Sequence, residues 1–335
     1  MYLFLIALLC FFLLEIVYFK IADRFNIIDK PNQRSSHTQI TLRGGGIIFP
    51  IALITGVLIF QPDQCYLALG VFAIAGISFL DDILTLNNKL RIGVHCVSVL
   101  LILAQIVLNQ NIPISTFLAP SSLLLALTCN LFLILAIVLI IGIINAYNFM
   151  DGINGITVLY SLATVISFIF IQQELNFSIL NVSILYMLIA SLGIFGYFNL
   201  RTKAKAFAGD VGSIAMALII SFFIGTLIFQ TRDPKWILLL GIYGLDAVAT
   251  IVCRIIRKEN IFDAHRSHFY QFLANEKRWP HVLIAVLYAF FQLLLNGFLV
   301  YLSAFGSYFL FCVFVISYIV LRLRLEGKKR LFIVY

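Results

Sequence analysis

The sequence predicts an all-α, polytopic integral membrane protein, organised as a single domain over residues 1–335. Three observations carry this. Of the residues, 62% are hydrophobic and only 11% charged, with a mean hydropathy of +1.05, whereas a soluble domain carries roughly 25% charged residues. Apolar runs long enough to cross a bilayer, about 20 residues each, recur along the whole chain. The basic residues then segregate onto alternate connections.

The apolar runs predict about eleven transmembrane helices, near 2–19, 46–61, 65–80, 92–108, 123–145, 156–173, 178–198, 213–230, 236–254, 283–302 and 307–323. Segment 114–122 reads as a short re-entrant or interfacial piece. The first run has no basic start and no small-residue cleavage site, so it reads as a retained helix. Six cysteines are scattered through apolar runs without a Cys-x-x-Cys pair. They read as small packing residues and suggest neither a disulfide framework nor a zinc site.

Of the 23 Lys and Arg, only Arg232 and Lys235 fall on one set of loops, and the rest share the other. The positive-inside rule makes the basic face cytoplasmic, with the N-terminus outside and the C-terminus inside. The basic tail from Arg322 to Arg330 fits that placement and suits anionic lipid. The outer loops are short, whereas the inner loops are long enough to carry function. Two carboxylates fall inside apolar runs. Glu15 lies close enough to its helix end to snorkel. Asp246 stands eight residues before Arg254, roughly 12 Å by helical rise, and is expected to pair inside the bundle.

Five polar constellations lie on the basic face. Asp81-Asp82 closes the third run, with Lys89 and Arg91 following. Adjacent carboxylates repel each other unless a divalent cation or cationic group lies between them, and the two basic residues suit phosphate oxygens; a solvated helix cap is the other reading. Asn148 and Asp151 lie in a dense stretch of amides and glycines, Asn145 to Gly155, suited to a sugar or uracil edge, or else to a helix C-cap. Phe207-Ala208-Gly209-Asp210-Val211-Gly212-Ser213 opens a helix whose N–H groups make an anion site. There Asp210 reads equally as an N-cap or a metal ligand. His265-Arg266-Ser267-His268 suits a diphosphate or proton transfer. Asp29 to His37 with Arg43-Gly44-Gly45-Gly46 supplies basic groups and a glycine run.

In this order, from about residue 29 to residue 271, the motifs resemble the polyprenyl-phosphate N-acetylhexosamine-1-phosphate transferases. The wording His-Arg-Ser-His-x-Tyr-Gln, with Arg-Ser-Ser-His and Arg-Gly-Gly-Gly, looks closest to the branch that initiates O-antigen and so lipopolysaccharide. The three adjacent histidines of the muramoyl-pentapeptide branch are absent. The resemblance implies Asp81, Asp82, His265 and His268 as catalytic groups and Lys89, Asn148, Asp151, Phe207 and Arg266 as substrate contacts. It makes Asp210 the ligand of Mg2+, with Mn2+ as a substitute. Asn154 departs from the family's second Asp, Leu42 from a Pro before the Arg-Gly-Gly, and Arg201-Thr202-Lys203 from a Pro-rich stretch.

The reaction so implied joins undecaprenyl phosphate to the sugar phosphate of a UDP-N-acetylhexosamine and releases UMP, in the bacterial inner membrane with the site facing the cytoplasm. Lys89, Arg266 and the histidines would place positive charge around the transferring group. Membrane lipids are expected partners and a homodimer is compatible, but no nucleic acid is expected. The rival reading is a transporter or flippase of a nucleotide sugar or lipid-linked sugar, which would place ionisable groups near the midplane and show inverted repeats. No repeat is visible, and no residue decides which N-acetyl sugar is used.

Overall fold

Each long apolar run forms a helix, and most of these helices continue past the apolar residues into the polar motifs. The computed structural model describes residues 2–31, 39–84, 86–111, 122–260 and 265–333. The re-entrant piece expected near 114–122 and the Arg-Ser-Ser-His stretch up to His37 fall largely or wholly outside these residues.

The helices are α1 (Tyr2–Arg24), α2 (Ile48–Phe60), α3 (Cys65–Leu84), α4 (Asn88–Asn109), α5 (Leu123–Met150), α6 (Ile156–Glu174), α7 (Val182–Asn199), α8 (Gly209–Thr231), α9 (Gly241–Ile256), α10 (Phe269–Asn275), α11 (His281–Tyr301), α12 (Ala304–Glu326) and α13 (Lys328–Phe332). Tight 3-10 turns precede α2, α3 and α9 at Gly45–Ile47, Pro62–Gln64 and Pro234–Leu240. Among the described residues, 10 helical spans are long and apolar enough to cross a membrane. The remaining expected span appears as the shorter apolar helix Gly45–Phe60. This is a multi-pass membrane protein.

Helix α8 forms the centre, with 89% of its apolar window buried. Helices α2, α3, α4 and α5 pack around it, α11 packs on α6, and α1 and α2 pack on α7. Helices α5 and α12 turn most of their surface outward. Beside this bundle, β1 (Ile28–Asp29) and β2 (Thr41–Leu42) form a small antiparallel ribbon, which the hydropathy pattern does not foresee.

The ribbon leads into the glycine run, which explains both glycine motifs. Phe207 N–H donates to Leu42 O at 2.8 Å, Gly45 N–H to Phe207 O at 2.9 Å and Gly46 N–H to Ala208 O at 3.0 Å. The two backbones therefore run against each other. A Cβ on Gly46 would sit 2.5 Å from the Gly212 Cα, and one on Gly209 would sit 2.8 Å from the Gly44 nitrogen. Gly44 and Gly209 also take positive φ, 82° and 72°, which side chains disfavour.

Of the two carboxylates in apolar runs, one departs from expectation and one meets it. Glu15 does not snorkel: it is 1% exposed, held under Gly45 and near Phe195, with neither carboxyl oxygen hydrogen-bonded. Asp246 does pair inside the bundle, though not with Arg254, which binds Glu259. It accepts from Tyr288 Oη at 2.5 Å and from the N–H groups of Phe269 at 3.0 Å and Tyr270 at 3.3 Å.

Gly46→Ala should lower the thermal-unfolding midpoint in detergent, by about 1–3 kcal/mol of overpacking. The new methyl meets backbone, which cannot swing aside. Gly76→Ala, where nothing lies within 4 Å of the added Cβ, should be neutral or stabilising. Equal effects of the two substitutions would contradict the close-approach account.

Candidate functional site

The site is built where α3, α4, α5 and α8 end against the ribbon and glycine run. Asp82 lies on the last turn of α3, with its side chain fully buried. Its carboxylate meets Arg43 Nε at 2.7 Å and accepts the N–H groups of Asp210 at 3.2 Å and Val211 at 3.1 Å. The anion site expected at the start of α8 is therefore already filled by a carboxylate from α3. Asp82 serves as the cap that Ala208 cannot provide.

This cap fixes Asp210, which is partly exposed. Its Oδ1 lies 3.1 Å from Arg43 Nη2 and its Oδ2 3.9 Å from Arg91 Nη2. Arg91 also binds Asp81 at 2.6 Å, and Asp81 accepts Leu86 N–H at 2.7 Å. Three carboxylates thus share two guanidinium groups. The structure brings Arg91, on the first turns of α4, against Asp81; Lys89 is exposed on the same helix. Arg43 was legible only as part of a glycine-flanked basic loop, and its contacts with two distant aspartates have no local signal.

A cleft of about 220 Å³ opens beside Asp210. Its wall includes Arg43, Asn148, Asp151, Phe207, Asp210 and His281. Helix α5 runs to Met150, so Asn148 is held on a helix rather than in the expected loop. Ser213 Oγ donates to Asn148 Oδ1 at 2.8 Å, tying α5 to α8. Thr157 Oγ1 donates to Asp151 Oδ1 at 2.6 Å. Burial pushes the Asp151 carboxyl up to about 6, against the lowering effect of that hydrogen bond. Asn154, where a family carboxylate is missing, donates to Arg201 O at 2.7 Å, so its amide secures a loop. Asp29, Asn199, Gln271 and His281 also face the cleft; Asp29 and Gln271 belong to motifs legible in the sequence, whereas Asn199 and His281 had no signal beyond their polar character.

The histidine segment stands beside this cleft. His265 and His268 stack at 5.0 Å, and His265 also meets the Phe149 ring at 6.0 Å. Neither histidine nor the exposed Arg266 lines the cleft. Burial, then His268 and neighbouring arginines, lowers His265 to about 4. It is therefore a neutral imidazole at pH 7, and the expectation of added positive charge does not hold for it. His268 is 2% exposed, with Nδ1 3.4 Å from Asp246 Oδ1.

The profile of glycosyl transferase family 4 matches residues 64–228, a span holding Asp81, Asp82, Asp151 and Asp210. This match and the relatives below support the polyprenyl-phosphate N-acetylhexosamine-1-phosphate transferase family for the chain. It is 26% identical to a probable undecaprenyl-phosphate N-acetylglucosaminyl 1-phosphate transferase of Bacillus subtilis, over 80% of this chain and 75% of that protein. It is 24% identical to an undecaprenyl-phosphate alpha-N-acetylglucosaminyl 1-phosphate transferase of Thermotoga maritima, over 97% and 99%. It is 29% identical to a phospho-N-acetylmuramoyl-pentapeptide-transferase of Enterococcus hirae, over 63% and 68%. The family resemblance read from the motifs is borne out.

The donor chemistry of the cleft fits a hard cation such as Mg2+. Such an ion takes one or two carboxylates and completes its shell with water and substrate phosphate. Asp210 and Asp151 reach the cleft, whereas Asp82 has both oxygens engaged. Among the described residues, no three His, Cys, Asp or Glu side chains gather as a closed cage. The arrangement suits a cation that arrives with a diphosphate.

The raised Asp151 carboxyl predicts a pH effect. Its ordinary value is 3.8, so between about pH 4 and 6 the folded chain holds a proton that the unfolded chain has lost. Stability falls as pH rises through that window and levels off above it. The unfolding midpoint of the parent should drop relative to that of Asp151→Asn between about pH 4 and 7. About 1–2 kcal/mol is expected, because the cleft admits water to the carboxyl. A constant difference across this range would show that Asp151 titrates normally.

Proposed function

We propose that the protein transfers an N-acetylhexosamine 1-phosphate from a UDP-sugar to undecaprenyl phosphate, releases UMP and so starts a lipid-linked cell-envelope glycan. The carrying observation is the convergence of Asp81, Asp82 and Asp210 with Arg43 and Arg91 at the ends of apolar helices, beside a polar cleft. The relatives' names support the lipid acceptor and an N-acetyl sugar. Ionisable groups gathered at helix ends support transfer chemistry over a transport site at the midplane.

In this reading a lipid phosphate oxygen attacks the phosphorus bonded to the sugar. The bond from that phosphorus to the bridging oxygen breaks, and UMP leaves with the electron pair. Such transfer depends on positioning and charge neutralisation more than on a strong base, and the second pKa of a phosphate monoester near 6 leaves the nucleophile largely ionised at pH 7. Mg2+ bound with the diphosphate supplies Lewis-acid polarisation and offsets the charge of the leaving UMP. Asp210, with Asp151 opposite in the cleft, would hold it. Arg91 is the more loosely paired guanidinium at Asp210 and is placed to turn toward a phosphate. Phe207 offers a ring to uracil, and Asn148 an amide to the sugar or base.

The basic face is assigned to the cytoplasm, the side where nucleotide sugars are made, with the N-terminus outside and the C-terminus inside. The closeness of the histidine wording to the O-antigen branch supports an envelope polysaccharide as the product. N-acetylglucosamine is the first sugar to test.

Detergent-purified protein with undecaprenyl phosphate, Mg2+ and a panel of UDP-N-acetylhexosamines should release UMP and form a lipid-linked sugar diphosphate. Asp210→Asn should cut the rate by at least about 100-fold, in line with loss of a group that stabilises charge in the transition state. UMP release at the parental rate by that variant would remove Asp210 from the metal role. No lipid product from any UDP-sugar would refute the transferase reading.

A further inference from the structure

Helix α12 stands outside the matched family span and buries little of itself, yet its last turns place one arginine deep inside the protein. Arg322 is 3% exposed. Its Nη2 donates to Ser267 O at 2.7 Å and its Nη1 to Thr250 Oγ1 at 3.1 Å, while Nε pairs with Glu326. Thr250 in turn donates to Asp246 Oδ1 at 3.2 Å. Asp246 receives the first two N–H groups of α10 and faces His268. Four segments, α9, the histidine segment with α10, α11 through Tyr288, and α12, therefore share one buried polar network.

The network continues to the cleft. The Tyr270 ring stacks on His268 at 5.7 Å, and its Oη donates to Phe149 O at 2.8 Å. A Cβ on Gly152 would lie 2.2 Å from that Oη, so glycine at 152 makes room for the tyrosine beside Asp151. The next residue, Gln271, lines the cleft itself. A connected path thus runs from Arg322 through Ser267 and Asp246 to Tyr270, Gly152 and the wall that holds Asp151. A planar guanidinium with several fixed donors suits such a junction, and an ammonium does not.

We propose that Arg322 is a positioning residue: from α12 it sets the histidine segment and α10, and through Tyr270 it fixes the cleft wall that takes the nucleotide sugar. The sugar clause rests on the transferase reading; the positional clause does not. Arg322 touches no reacting atom. It acts through Ser267 O and Thr250.

Two measurements test this on the full chain, comparing the parent, Arg322→Lys and Tyr270→Phe. Hydrogen exchange reads position alone. In Arg322→Lys, amides of residues 265–275 should exchange at least tenfold faster while those of α8 stay unchanged. Equal exchange would overturn the proposal whatever the enzyme does. Kinetics read the consequence. Both variants should raise KM for the UDP-sugar about tenfold, with kcat and the KM for lipid phosphate within twofold of the parent. A parallel fall in kcat and thermal midpoint, without the KM split, would make Arg322 a fold residue only and overturn the positioning role. A parent that turns over no UDP-sugar would sink the transferase reading, with the exchange result still deciding the position of the segment.

Discussion

The carboxylate of Asp82 accepts the first N–H groups of α8 and binds Arg43 at 2.7 Å, fully buried as it does so. Taking a carboxylate out of water costs several kcal/mol. Two amide donors, a guanidinium and the positive end of the most buried helix offset that cost together. The result is a fixed joint between α3, the loop carrying Arg43, and α8. Asp210 owes its place to this joint, because its own backbone N–H is one of the donors. Removing Arg43 would leave the buried Asp82 carboxylate without its cation, a larger loss than any exposed ion pair could cause. The glycine runs serve the same joint: Gly44–Gly46 and Gly209–Gly212 approach so closely that side chains there would displace backbone.

Hydropathy counting recovered the helices but ended many of them about one turn early. It closed the third run at residue 80, the fifth at 145, and opened the eighth at 213, whereas α3 reaches Leu84, α5 reaches Met150 and α8 begins at Gly209. The reason is physical. An apolar run stops at the first residue that needs a polar partner, but a helix stops only when its backbone loses partners. At these ends the polar side chains find partners in other elements: Asp82 in Arg43, Asn148 in Ser213, Asp81 in Arg91. The first two contacts span long sequence separations and leave no local pattern, whereas Arg91 stands close enough to Asp81 to share its constellation in the sequence. The same blindness applies to Glu15 and Asp246. Sequence position showed that each lay in an apolar run, and only the fold shows that one sits unbonded under Gly45 and the other organises α10.

This extra turn changes what kind of site it is. The sequence puts Asp82 and Asp210 at the ends of helices and function in the inner loops, and in the structure Asp82, Asn148 and Asp210 all stand on terminal turns of the scaffold helices. Groups on helices are held more tightly than groups on loops, which favours a reaction governed by geometry and charge placement. The histidine segment fills a different role from the one its composition suggested. His268 is buried against Asp246, and His265 is neutral at pH 7, so positive charge at the site comes from Arg43 and Arg91.

Three carboxylates against two guanidinium groups leave the joint one negative charge in excess, before Asp151 and Asp29 across the cleft are counted. A bare diphosphate approaching such a surface would be repelled. A diphosphate carrying a divalent cation would not, because Asp210 would hold the cation and Arg91 would be placed to turn toward a phosphate oxygen. Burial first, and then the nearby Asp210 carboxylate, raise the Asp151 carboxyl, so a further uncompensated negative charge in this cleft is costly. The local charge balance therefore argues for binding the nucleotide and its metal together. Arg43 stays on Asp82, so Arg91, the looser partner of Asp210, is the guanidinium that would turn to a phosphate when an ion reaches Asp210.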